Sequence, residues 1–115
     1  MSALAVARAP GKLLLTGAYA VLEGAPALVV AVDRYAVARG EPVDHAPARE
    51  IAAAFPSGGA PTVDTSSLYY GETKLGLGSS AAALVAAVAA ADLRAGAEVL
   101  DKKAIFLRAR EAHQR

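Results

Sequence analysis

The segment Lys74-Leu-Gly-Leu-Gly-Ser-Ser-Ala-Ala82 constrains this chain more than any other stretch. Two glycines and two serines close an irregular run, and an alanine-rich apolar pattern follows at once. Alanine is the best helix former. The pattern therefore predicts a helix over Ser80–Ala95, ended by Gly96, with Leu84, Val85, Val88 and Leu93 on its buried side. A helix beginning behind two glycines presents unpaired backbone N–H groups and the positive end of its dipole, which suits an anion such as phosphate. Gly76 and Gly78 lack a Cβ, so the main chain there can adopt positive φ and approach a ligand closely. Ser79 and Ser80 either cap the helix or turn a hydroxyl toward a phosphate or a metal ion. A flexible turn with a serine cap accounts for the same residues equally well. Two better-known phosphate loops are excluded. No Gly-Lys-Ser/Thr triplet follows the glycines, and Ala81 stands where the dinucleotide fingerprint requires a third glycine.

The rest of the chain reads as strands first and helices later, which points to an α+β fold. Ala3–Ala9 and Leu13–Thr16 are short apolar runs separated by Pro10-Gly11, predicting two extended pieces with a bend between them. Tyr19–Leu22 predicts one helical turn closed by Gly24. Ala27–Val32 and Tyr35–Ala38 predict strands, the first buried on both faces and the second more exposed. Gly40–Arg49 reads as a surface loop, Ile51–Phe55 as a further strand and Pro56–Pro61 as a turn. Thr62–Thr73 reads as mostly loop with a short extended piece. Asp101 predicts the cap of a second helix running to about Gln114.

Composition narrows the classes of partner. The 115 residues carry a formal net charge of +1, so no strong field favours nucleic acid or an acidic membrane surface. Without cysteine, disulfides and thiolate metal sites are excluded. The longest apolar run, Ala81–Ala91, is far short of the roughly 20 residues that span a bilayer. The N-terminus lacks the basic start of a signal peptide. These readings predict a cytoplasmic protein with neither nucleic acid nor membrane as a partner; they leave the oligomeric state open.

A second constellation is Ala9-Pro-Gly-Lys12, followed by Leu-Leu-Leu-Thr-Gly17 and Ala18-Tyr-Ala-Val-Leu-Glu-Gly24. A lysine just after a Pro-Gly bend can reach past a sheet edge toward an anionic group; the plainer reading is a solvated lysine beside an ordinary turn. Together, in this order, the two constellations resemble the motifs of the GHMP kinase superfamily, which includes galactokinase, homoserine kinase, mevalonate kinase and phosphomevalonate kinase. Its first motif is similar to Ala9–Gly24 and its phosphate loop to Gly76–Ala82. Lys74 and the Gly17-Ala18-Tyr19 triplet resemble the phosphomevalonate kinase branch more than the mevalonate kinase branch.

The resemblance implies an incomplete N-terminal, ATP-binding domain over residues 1–115, of the ribosomal-protein-like β-α-β kind, with a mixed sheet covered on one side by helices. It implies ATP and magnesium as cofactors and phosphoryl transfer to 5-phosphomevalonate, or alternatively to mevalonate or another small molecule. A non-catalytic nucleotide-binding module, or a half-enzyme subunit, is the alternative of another class. Gly76, Leu77, Gly78, Ser79, Ser80, Ala81 and Ala82 would wrap the ATP phosphates, with Ser80 helping to coordinate magnesium. Lys74 would neutralise a phosphate. Lys12 would act catalytically, near the transferred group and the acceptor, and Gly17, Ala18 and Tyr19 would border the acceptor pocket. Position 18 is alanine where many relatives have glutamate. The family's catalytic aspartate and C-terminal domain are expected beyond residue 115, so the 115 residues alone are expected to lack kinase activity. His113 reads as a helix-surface histidine.

Overall fold

Alternation of small and large residues in Ala5-Val-Ala-Arg-Ala9 decides which face of the first strand meets the helices. Successive strand side chains point to opposite faces, so the alanines share one side. The computed structural model describes residues 5–16, 20–42 and 47–114. In it, strand β1 (Val6–Thr16) pairs antiparallel with β2 (Leu28–Pro42), placing Ala7 opposite Ala38 and Ala9 opposite Ala36. All four alanines are buried, whereas Val6 is 40% exposed. Strand β3 (Pro61–Asp64) lies on the other edge of β2, giving the order β1-β2-β3. A separate small hairpin is formed by β4 (Tyr69–Tyr70) and β5 (Thr73–Lys74).

The alanine face is covered by helices. Helix α1 spans Arg49–Ala54, α2 spans Ser79–Arg94 and α3 spans Lys102–His113. Of these, α2 packs on β1, β2 and β3, while α1 and α3 pack against α2 and each other. Leu84 and Val88 are completely buried, and Val85 and Leu93 pack against the same core from its margin. Alanines such as Ala86, Ala87 and Ala90 fill the rest of the helix face. With alanine on both sides, helix and sheet approach closely, and the interior tolerates little added volume. Arg94 ties the end of α2 to the sheet side by donating to the carbonyls of Gly40 and, at 2.8 Å, Gly59. Among the described residues no helix is long and apolar enough to cross a membrane.

The architecture is α+β with helices over one sheet face, but every strand pair among the described residues is antiparallel, so the sheet is not mixed. The 15-residue β2 runs back along β1, and β3 then turns back along β2. Pro10-Gly11 does not separate two strands; β1 runs through it with a register shift between Pro10 and Lys12. Ile51–Phe55 is not a strand, since Arg49–Ala54 forms α1 and turns Ile51 into the core. The burial predicted along β2 is reversed. Helices cover Ala36 and Ala38, whereas Leu28, Val29 and Val30 stand 53%, 49% and 37% exposed. Gly40 belongs to β2 and packs against Ala5, so the surface loop predicted from that position starts later. The predicted turn around Leu22 is a 3₁₀ helix, Ala20–Glu23, closed by Gly24 at φ 89°.

A second 3₁₀ turn, Ser66–Leu68, carries the fully buried Leu68 under the glycine-rich loop. Its start is held by Asp64, whose Oδ1 accepts from the Ser66 N–H at 2.9 Å. That backbone bond, with the Ser66 hydroxyl and, more weakly, the Arg39 charge, holds the Asp64 carboxyl below its usual value against the opposing effect of burial. A carboxyl with a depressed folded pKa stabilises the fold above its unfolded pKa, and that stability is lost as pH falls through the folded value. Asp64→Asn should therefore flatten the acid limb of stability below the ordinary aspartate pKa of about 4, read from urea midpoints. Asp101 caps α3 by accepting from the Ala104 N–H at 3.0 Å. Asp101→Ala should cost about 1 kcal/mol, and Asp101→Asn should recover most of it in the same urea titration.

Candidate functional site

Glycine builds the site by letting two backbone segments touch. Gly76 and Gly78 adopt φ of 73° and 70°, the left-handed region that a Cβ disfavours. Gly78 is the N-cap of α2, and no side chain caps the helix. Ser79 and Ser80 therefore form the first helical residues instead of the cap. The first intrahelical bond is donated by the Ala82 N–H to the Gly78 carbonyl at 3.0 Å. The N–H groups of Ser79, Ser80 and Ala81 lie ahead of it, at the positive end of a 16-residue helix.

Lys12 locks this loop to the sheet. Its backbone N–H donates to the Leu77 carbonyl at 2.8 Å. Its side chain lies along Gly78, where an added Cβ would overlap Nζ and stand 3.2 Å from Cγ. One step back, a Cβ on Gly11 would come within 2.8 Å of the Leu77 oxygen and 2.9 Å of Leu68 Cδ2. The Pro-Gly pair before Lys12 is thus the place where the loop's backbone rests on β1. The register shift at Pro10/Lys12 accompanies that contact.

Lys12, Lys74, Gly76, Ser79, Ser80 and His113 are among the residues lining a cavity of about 260 Å³. Two lysines and one helix N-terminus therefore border the same space. No carboxylate lines that cavity among the described residues, so the local field favours an anion. Ser79, Ser80 and Lys74 also line an adjoining cavity of about 280 Å³, whose walls include Ile51, Pro61, Val63 and Tyr69. A third concavity, of about 400 Å³, shares Ser80 and His113 and contains Arg49 and Glu50. Ser80 thus stands where the three meet.

Of the residues singled out in the sequence, Lys12, Lys74, Gly76, Leu77, Gly78, Ser79, Ser80 and Ala81 line one cavity. Ala82 does not join them: it is buried, and its N–H is used inside the helix. Gly17, Ala18 and Tyr19 lie outside the described residues. Ser80 supplies one hydroxyl oxygen, and no group of three His, Asp or Glu that could hold a metal ion occurs among the described residues. A magnesium ion at this place would take most of its oxygen ligands from phosphate, as this cation commonly does. The sequence reading missed Gly11, whose role as a contact glycine was hidden behind its role in a bend. His113 is an exposed residue of α3, as read from the sequence, and the end of that helix also brings it to the cavity wall. No signal in the sequence shows that approach.

Comparison with known protein families, with characterised proteins and with solved structures gives no match for this chain. Gly11→Ala should destabilise the fold by about 1–3 kcal/mol in a thermal or urea titration, because one of the two groups it meets is backbone and the other is a fully buried leucine. Unchanged stability would mean that the loop does not rest on β1 as described.

Proposed function

We propose that this chain carries the phosphate-binding part of an ATP-dependent small-molecule kinase of the GHMP type, with 5-phosphomevalonate as the acceptor. The observation that carries this reading is the docking of Lys12 on Gly78, at the start of α2, with Lys74 across the same cavity. The Ser79–Ala81 N–H groups would hold phosphate oxygens, and the two lysines would balance their charge. The neighbouring cavity beside Tyr69, partly apolar, would accept the nucleoside. Magnesium, when bound with the nucleotide, supplies charge neutralisation at the phosphates, and Ser80 would contribute a hydroxyl to it. Lys12 would stabilise the negative charge that develops in the transition state as the acceptor's phosphate oxygen bonds to phosphorus and the bond to the ADP leaving oxygen breaks.

A second reading, a nucleotide- or anion-binding module without catalysis, is favoured by the absence of a carboxylate from the cavity wall among the described residues. The two readings part on turnover. ADP release should depend on 5-phosphomevalonate in a polypeptide that carries this segment together with a general base. Turnover with mevalonate alone would reject the acceptor, and ATP binding without turnover of either would favour the binding module.

Binding itself is tested by a matched pair of substitutions. Gly76 and Gly78 have nearly the same φ, but a Cβ at Gly76 meets nothing within 4 Å, whereas one at Gly78 displaces the Lys12 ammonium. In calorimetric titrations with MgATP, Gly78→Ala should weaken affinity by about tenfold, the worth of one charge-assisted hydrogen bond, and Gly76→Ala by much less. In a Lys12→Ala background the difference between the two should vanish.

A further inference from the structure

Lys74 reaches the cavity on a very short hairpin. Strands β4 and β5 have two residues each, with Tyr69 opposite Lys74 and Tyr70 opposite Thr73. One further bond closes the base of the hairpin, from the Leu75 N–H to the Leu68 carbonyl at 3.1 Å. A two-stranded hairpin is marginally stable at best when isolated, so this one takes its order from what it is anchored to. Among the described residues no hydrogen bond or ion pair holds the Lys74 side chain, and its place is set by the backbone that carries it. The 3₁₀ turn Ser66–Leu68 packs on both β2 and β4, and so joins the hairpin to the sheet.

Two side chains grip that turn. Asp64 accepts from its first N–H, and Arg34 donates through Nη1 to the Ser67 carbonyl at 3.1 Å. Arg34 occupies an irregular place in β2. Pro10 pairs with Tyr35 and Lys12 with Ala31, so Val32, Asp33 and Arg34 together oppose Gly11 alone. Bulges of this kind re-aim the side chains they carry. Gly11 is also the residue on which Leu68 and Leu77 rest. The irregularity therefore stands beside the junction of turn, loop and strand, and the Arg34 guanidinium spans from β2 to the turn there. Arg34 is exposed and lines none of the three cavities described above, so it does not touch an anion held in them.

We infer that Arg34 is a positioning residue: by holding the Ser66–Leu68 turn on β2, it fixes the hairpin that presents Lys74 to the cavity. Its contribution to anion binding rests on the phosphate-binding reading, whereas its hold on the hairpin does not. Hydrogen exchange of the whole chain tests the hold without any ligand. In Arg34→Ala the Leu75 amide should exchange about tenfold faster, as expected for loss of one hydrogen bond from a charged donor. The Ile105 amide, bonded to Asp101 within α3, should keep its rate. Arg34→Lys, which retains a donor and the charge, should recover most of the protection at Leu75. Calorimetry with MgATP tests the route through Lys74. Arg34→Ala should weaken affinity by about threefold to tenfold alone, but by less than about twofold in a Lys74→Ala background, where the cation it positions is gone. Unchanged exchange at Leu75 would overturn the inference, as would equal acceleration at Leu75 and Ile105, the mark of general destabilisation. An equal affinity loss in both backgrounds would overturn it too, because the arginine charge acting through space gives that result. A wild-type chain without affinity for MgATP would reject the phosphate-binding reading instead, and the exchange rates would still decide what Arg34 holds.

Discussion

The hydrogen bond from the Lys12 N–H to the Leu77 carbonyl is the contact on which the site depends. It joins a strand near the start of the chain to a loop more than sixty residues later, and it places a lysine side chain at the mouth of a helix. Without it, Gly76–Ser80 would be a turn with two positive-φ glycines and no fixed relation to any cation. The bond needs close backbone approach, which Gly11 allows, while Gly78 leaves room for the Lys12 side chain. Leu68, fully buried beneath this junction, gives it a floor.

The same economy of side-chain volume runs through the core. Ala7, Ala9, Ala36 and Ala38 face Ala86, Ala87 and Ala90 across the helix–sheet interface, with Leu84 and Val88 as its larger anchors. Small residues let α2 sit near the sheet, and that nearness carries its N-terminus to Lys12. The interface gains less from each buried side chain than a leucine-rich core would.

Much of this was legible in the residues, and the misses have physical reasons. The two long helices, the cap at Asp101 and the glycine stop after α2 follow from local chemistry, whereas the meeting of Lys12 with the loop was implied only by the family resemblance. Apolar content misled the reading of β2. Large aliphatic residues at Leu28–Val32 suggest burial, whereas the helices cover the alanines at 36 and 38. Burial here follows the position of α2, a tertiary fact that no local pattern of β2 contains. Ile51–Phe55 failed for a related reason, since a short apolar run suits strand or helix alike until its neighbours arbitrate. The approach of His113 to the loop depends on how α3 folds back over α2, which residue spacing does not express.

The central claim is that Lys12 and the start of α2 form one anion-binding unit. Amide NMR of the chain during titration with MgATP tests it most directly. The account predicts saturable shifts concentrated at Ser79, Ser80 and Ala81, with Lys12 and Leu77 moving in step, and reversal by pyrophosphate. Shifts confined to other parts of the chain, or none at saturating nucleotide, would contradict it.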